Sequence, residues 1–386
     1  MKKKILFVFG TRPEAIKMAP LVKEMQEQKA SFDVKVCVTA QHRHMLDQVL
    51  DIFEIKADYD LNIMEKAQTL FHITSACLLG LEAVLKKEKP DLVLVHGDTT
   101  TSFAAALGAF YQKIPVGHVE AGLRSFDLDN PFPEEANRVL TDRICSLLFA
   151  PTPLSKNHLL KEGVSTKKIS VTGNTVIDAL FLALKKKHTV KNMPLLKFLN
   201  HKNSKCRIIL VTAHRRENFG KPLENICTAL RKTADNFKDI HIIYPVHLNP
   251  NVQKTVNTIL AGHERILLIE PLDYLDLINL MKLSNIIVTD SGGIQEEAPA
   301  LGKPVLVLRK VTERPEGIKA GTVKLTGTDK NKIIRELSLL LKSKKHYNKM
   351  AKAKNPYGDG KASRRIISSI KTFFNPKLKS TVKQFN

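Results

Sequence analysis

Ile5-Leu6-Phe7-Val8-Phe9-Gly10-Thr11-Arg12-Pro13-Glu14-Ala15-Ile16-Lys17 decides the fold. Its five consecutive apolar residues do not alternate with polar ones, so they read as a strand buried on both faces. Gly10 allows a tight turn. Pro13 suits the first turn of a helix, where its missing N–H costs nothing, and a helix-like pattern then runs to about Gln28. Strand, turn and helix in immediate succession open a βαβ unit. The same succession recurs outward, with strands expected at 34–38, 92–95, 116–119, 147–150 and 169–171 and a helix over 72–87. Residues 185–206 are polar and aperiodic, a connection or a helix end plus a linker. Beyond them strands are expected at 208–212, 240–244, 266–269, 286–288 and 305–308, and helices over 333–374. This is an α/β chain with two similar halves, each a parallel sheet covered by helices on both faces, with a cleft between them.

Composition narrows the function. Hydrophobic residues make up 43% and charged residues 26% of the 386, the balance of a folded protein. The apolar start is too short for a signal peptide and no run is long enough to span a bilayer, so a cytoplasmic protein is expected. Five scattered cysteines form no CxxC, which argues against a disulfide framework or a structural zinc site. His42 and His44 form an HxH that no carboxylate completes, and no metal is expected. The net charge of +23 invites nucleic acid as a partner. However, residues 156–207 hold 12 basic against 2 acidic residues and residues 322–386 hold 17 against 3, leaving the rest of the chain near neutral. Lysines on solvated helix faces account for that excess, and no nucleic-acid partner is expected.

In open α/β sheets ligands sit beyond the carboxyl ends of the strands, and the informative residues here follow strands. After the first strand, Arg12 could clamp a phosphate at a helix N-terminus, with Lys17 one turn on. No GxGxxG or GxxxxGK[ST] occurs, which counts against nicotinamide cofactors and P-loop chemistry. In His96-Gly97-Asp98-Thr99-Thr100, Asp98 is either a carboxylate at the cleft rim or a helix N-cap, a task Thr99 or Thr100 could share. Glu120 ends an apolar strand, where carboxylates are rare unless paired. It is either half of an ion pair with Arg124 or a catalytic group. In Asn130-Pro131-Phe132-Pro133-Glu134-Glu135, the helix dipole explains Glu135, while Glu134 could point into the cleft. In the second half, His214-Arg215-Arg216 reads as a diphosphate site or a solvated basic turn. Ser291-Gly292-Gly293 bares consecutive N–H groups at a helix start, with Glu297 one turn in to accept ribose hydroxyls. Arg314 adds a cation near the same edge.

These stretches, together with Asn355-Pro356-Tyr357-Gly358-Asp359-Gly360, resemble the non-hydrolysing UDP-N-acetylglucosamine 2-epimerases over nearly the whole chain. The resemblance implies a glycosyltransferase-B architecture of two Rossmann-like domains facing a cleft. On that reading, 1–175 is the carboxylate-bearing domain, 176–206 the connection, 207–360 the UDP-binding domain, and 361–386 a C-terminal helix and tail returning to the first. It implies reversible C2 epimerisation of UDP-N-acetylglucosamine to UDP-N-acetylmannosamine through UDP elimination and re-addition, by a homodimer without cofactor. Asp98, Glu120, Glu134 and His214 would be catalytic. Arg12, Lys17, Ser291, Gly292, Gly293, Glu297 and Arg314 would bind substrate. Family members with a second, activating substrate site carry Gln-His-x-Gln and an Arg before Gln-Thr-Leu. Here Gln41, His42, Gln68, Arg215 and His247 remain, but His44 and Ala67 replace the other two, so weak or absent activation is expected. A hydrolysing 2-epimerase and a glycosyltransferase of the same architecture are the rival readings.

Overall fold

The computed structural model describes residues 2–40, 43–65, 68–202, 206–378 and 382–386. It divides into two compact units, Met1–Ala183 with Tyr357–Asn386, and Leu184–Pro356.

In the first unit the chain runs β1 (Lys3–Phe9), α1 (Arg12–Gln26), β2 (Phe32–Val38), α2 (Arg43–Phe53), β3 (Tyr59–Asp60), α3 (Leu70–Glu88) and β4 (Leu92–His96). It continues through α4 (Thr100–Tyr111), β5 (Val116–Val119), α5 (Glu134–Ile144), β6 (Leu147–Ala150), α6 (Pro153–Lys161), β7 (Ile169–Val171) and α7 (Thr175–Ala183). All seven strands are parallel, in the order β3-β2-β1-β4-β5-β6-β7. Ile5–Phe9 and Leu92–His96 are buried throughout, as a sheet covered on both faces requires. Right-handed crossovers put the helices made before and after the reversal of strand order on opposite faces. Accordingly α1 packs against α2, and α4 against α3 and α5, while α7, which follows the last strand, crosses back to pack against α1.

The second unit repeats the plan: α8 (Met193–His201), β8 (Arg207–Thr212), α9 (Lys221–Asn236), β9 (Ile240–Pro245), α10 (Pro250–Leu260), β10 (Ile266–Ile269), α11 (Tyr274–Leu283) and β11 (Ile286–Thr289). Then follow α12 (Gly292–Ala300), β12 (Val305–Val307), α13 (Pro315–Ala320), β13 (Val323–Leu325), α14 (Lys330–Lys342) and α15 (Lys344–Ala351), before α16 (Ala362–Phe374) rejoins the first unit. Its six strands are also parallel, in the order β10-β9-β8-β11-β12-β13. Each sheet therefore reverses direction once, between β1 and β4 in the first and between β8 and β11 in the second. Such a switch point is where open α/β sheets take ligands.

The expected boundaries shift. The first unit runs past residue 175 because α7 is apolar and buried from Thr175 to Leu180, and it ends only where Lys185–Lys187 begin. The chain returns at 357 instead of 361, because Tyr357 is buried and its carbonyl accepts the Asn174 N–H at 2.6 Å. Within the expected linker, α8 starts where the Asn192 side chain caps Leu195 N and buries Leu195. The short strands β3 and β13 carried too few apolar residues to be read from sequence.

Candidate active site

In the first unit the loops at the switch point follow β1 and β4. Gly10 lies in the expected tight turn between β1 and α1, but what demands glycine there is packing: a Cβ would overlap Thr39 Oγ1 and lie 2.7 Å from Thr101 Oγ1. The buried Glu14 carboxylate accepts N–H bonds from Gly10 and Thr11 at 3.1 and 2.8 Å and the Thr99 hydroxyl at 2.7 Å. It thereby ties the turn bearing Arg12 to the loop bearing Asp98. Burial drives its pKa upward against those hydrogen bonds.

Asp98 is not the helix cap. Thr99 is, its hydroxyl accepting Ser102 N–H at 3.1 Å. That leaves the Asp98 carboxylate to pair with Arg138 of α5, while the Asp98 carbonyl accepts Asn137 Nδ2 at 3.0 Å. The same helix carries Glu134 as its first residue and Glu135 next. Glu135 is buried and accepts the Ser125 and Phe126 N–H groups at 3.0 Å, so it shapes the incoming loop as well as complementing the helix dipole. Glu134 is only half-buried.

Glu120 does not pair with Arg124. It pairs with Lys17, and its Oε2 accepts Asn174 Nδ2 at 2.7 Å. Arg124 instead bonds Asp142 and Glu162 at 2.7 and 2.6 Å. The reason is backbone geometry. Glu120 sits at φ +69°, a left-handed conformation costing about 1–2 kcal/mol in a residue with a Cβ. This kink lets the N–H groups of both Glu120 and Ala121 reach Phe149 O at 3.1 Å. Such strain, held by the surrounding bonds, is characteristic of functional positions. A Cβ on Gly97 would lie 3.9 Å from Glu120 Oε1, so the loops bearing Asp98 and Glu120 are neighbours. His96, also beside Glu120, is 3% exposed, and neither ring nitrogen has a hydrogen-bond partner among the described residues.

In the second unit the buried Asp290 organises the switch point. Its Oδ2 accepts His214 N, Arg215 N and Asn218 Nδ2 at 2.8–3.0 Å, joining the loop after β8 to the start of α12. The His214 side chain is 45% exposed and stacks on His247 with centroids 5.1 Å apart. Its pKa is lowered, by burial first, with Asp290 opposing and the His247 and Arg215 charges adding to the effect. The Ser291 hydroxyl makes no capping bond to α12, and Arg314 packs on Gly292 while bonding Glu296 at 2.8 Å. Glu297 accepts Tyr274 Oη at 3.2 Å. An uncapped helix start beside a guanidinium and an imidazole is suited to a phosphate group, with a carboxylate one turn on.

Of the residues expected for a second substrate site, Gln41, His42 and Ala67 lie outside the described residues. Gln68 accepts Glu65 N–H at 3.4 Å, and Arg215 Nε donates to Asp290 O at 3.1 Å. Among the described residues, His188, Asp273 and Asp276 are close enough to hold a metal ion, but His188 already bonds Asp276 at 2.6 Å and Asp273 caps α11. No helix among the described residues is long and apolar enough to cross a membrane.

A family model described as UDP-N-acetylglucosamine 2-epimerase matches residues 23–371. The UDP-N-acetylglucosamine 2-epimerase of Salmonella typhimurium is 55% identical over 372 residues, covering 96% of this chain and 99% of the relative. A UDP-GlcNAc 2-epimerase from Neisseria meningitidis, solved bound to UDP-GlcNAc, is 52% identical with a TM-score of 0.84, covering 96% of this chain and 100% of that one. The S. aureus MnaA–UDP co-structure is 49% identical with a TM-score of 0.86, covering 99% and 100%.

Proposed function

Because the chain belongs to the UDP-N-acetylglucosamine 2-epimerase family, we propose that it interconverts UDP-N-acetylglucosamine and UDP-N-acetylmannosamine by eliminating and re-adding UDP, without hydrolysing the nucleotide sugar. The C2 hydrogen is not next to a carbonyl, so direct removal is unfavourable. Breaking the anomeric C–O bond sends its electron pair to the UDP oxygen and leaves an oxocarbenium-like centre. A carboxylate then takes the acidified C2 proton, and the C–H pair forms the C1=C2 bond of 2-acetamidoglucal. Protonation of C2 on the opposite face and return of UDP to C1 complete the inversion. Two faces require two acid–base groups. The observation that carries the reading is that Asp98 and Glu120 follow adjacent strands, each held by its own cation, Arg138 and Lys17.

In this reading Asp98, Glu120 and Glu134 move protons, with Lys17 orienting Glu120. His214, Arg12, Arg314 and the Ser291–Gly293 helix start stabilise the departing diphosphate, and Glu297 holds the ribose. Elimination and re-addition of UDP involve no net redox change, so no nicotinamide is needed, and on this reading the protein's own donors meet the diphosphate charge in place of a metal. Incubation with UDP-N-acetylglucosamine should give UDP-N-acetylmannosamine and traces of the glucal. Free N-acetylmannosamine with stoichiometric UDP would identify a hydrolase instead, and no change without an acceptor would identify a glycosyltransferase.

Where activated family members carry an Arg before Gln-Thr-Leu this chain has Ala67, and the loss of that cation should weaken the second substrate site. Rate should therefore rise hyperbolically with substrate, and a sigmoidal response would contradict this. The protein acts as a homodimer. Phe71 and Leu79 on α3 and Tyr111 on the adjoining α4 are 89%, 70% and 67% exposed, an apolar surface suited to a second copy. A single-chain mass by light scattering would refute that.

A further inference from the structure

We infer that His118 is a positioning residue, a doubly protonated ring sealed beneath the site that ties the loop of Asp98 to the loop of Glu120. This rests on the catalytic reading of those two carboxylates.

The His118 side chain is fully buried in the middle of β5. Its Nε2 is 2.7 Å from Gly97 O, and its Nδ1 is 2.6 Å from Asp142 Oδ1. A carbonyl only accepts, so Nε2 must carry a proton. Asp142 Oδ2 already accepts the Gly122 N–H at 3.1 Å and Arg124 Nη2 at 2.7 Å, so only Oδ1 could hold a proton, and the guanidinium on the same group disfavours one there. Burial pushes the Asp142 pKa up, but the His118 and Arg124 charges and hydrogen bonds outweigh burial and hold it low. A carboxylate beside Nδ1 accepts as well. Both ring nitrogens therefore donate, and only the doubly protonated ring can do that.

The surrounding charges make this tenable. Arg124 bonds Glu162 as well as Asp142, so two buried cations meet two carboxylates. Removing one member would strand a buried charge. From β4, His96 is pushed down to about 3, by burial first and also by the Lys17 and His118 charges, and stays neutral. Lys17 and Glu120 neutralise one another on the neighbouring loop. At the end of α5, burial keeps the Cys145 thiol protonated, and Lys168 bonds its carbonyl at 3.2 Å.

The charged ring fixes both loops at once. Gly97 and Glu120 are both left-handed, at φ +67° and +69°. His118 holds the carbonyl of the peptide leading into Asp98. Through Asp142 it also holds Gly122 N, two residues after Glu120. A neutral ring has one N–H, so either Gly97 O or Asp142 would lose its donor and one loop would be released.

The test is nitrogen NMR on the full chain labelled in its histidine rings, with His118 assigned through the signals lost in His118→Gln. Both ring nitrogens should show protonated shifts, each with a slowly exchanging proton. In His118→Gln, kcat should fall by about a hundredfold, the scale expected when reacting groups are misplaced by an ångström, while UDP affinity moves by less than about threefold. A bare ring nitrogen at neutral pH, or full turnover in His118→Gln, would overturn the inference. If the variant fails to fold, the His118 ring is assigned by through-bond correlation to its own backbone signals, and the wild-type ring signals decide alone. A neutral ring in an enzyme that epimerises sinks the positioning role and leaves the function standing. A charged ring in a protein that leaves UDP-N-acetylglucosamine unchanged sinks the function, and the positioning role with it.

Discussion

The two units share one plan and prepare their functional groups in opposite ways. In the first, the carboxylates are bound before any ligand arrives: Glu120 to Lys17 and Asn174, Asp98 to Arg138, with His118, Asp142 and Arg124 buried behind them. In the second, His214 is 45% exposed and the Ser291 hydroxyl leaves its helix uncapped, while Asp290 beneath is saturated with donors on one oxygen. Proton transfer depends on geometry to within a fraction of an ångström, which internal hydrogen bonds supply. Capture of a diphosphate depends on donors not yet satisfied, which an open helix start supplies.

This contrast is broken most directly by Glu120→Gln. The amide keeps the shape but can neither accept the C2 proton nor pair with Lys17, so turnover should fall by at least about a hundredfold. UDP binding, measured by calorimetry, should persist. Loss of both together would mean that Glu120 serves binding.

A second effect concerns how the first unit is closed. Asp178 on α7 accepts Ala362 N and Ser363 N at 3.1 and 2.8 Å, capping α16 from within. Burial raises its pKa from 3.8 to about 6. Between those values the folded chain holds a proton that the unfolded chain has released, so this group's contribution to stability is full below 3.8 and declines as pH rises to about 6. The decline should be on the order of 2–3 kcal/mol. Asp178→Asn should remove that component from denaturant unfolding measured across the window, and an unchanged pH profile would contradict it.

The smallest effect belongs to the open unit. A Cβ on Gly292 would lie 3.3 Å from Arg314 Cζ, close enough to nudge the guanidinium. Gly292→Ala should weaken UDP binding by roughly tenfold, the loss of about one charge-assisted hydrogen bond, with turnover at saturation nearly unchanged. A fall in saturated turnover alone would erase the division between the units.

The sequence showed much of this in advance because the information was local. Apolar runs marked most strands of both sheets, and Asp98, Glu120, His214 and Ser291 all stood just beyond such runs. What it hid was pairing between distant segments. The partner of Glu120 is 103 residues away in Lys17, while the nearer Arg124 is drawn to Asp142 and Glu162. His118 and Asp142, 24 residues apart, gave no signal beyond a histidine in an apolar strand. Gly10 looked like a turn glycine, although what excludes a side chain there is Thr39 on the neighbouring strand end. Thr99, not Asp98, capped α4, which leaves Asp98 to pair with Arg138, 40 residues away.

The central claim is that the bond to UDP breaks and C2 loses its hydrogen before the sugar inverts. Proton NMR of UDP-N-acetylglucosamine with the enzyme in deuterated buffer tests it directly. Both UDP-sugars should acquire deuterium at C2, and no UDP-N-acetylmannosamine should form with its original hydrogen in place. UDP-N-acetylmannosamine that keeps that hydrogen would contradict the elimination route.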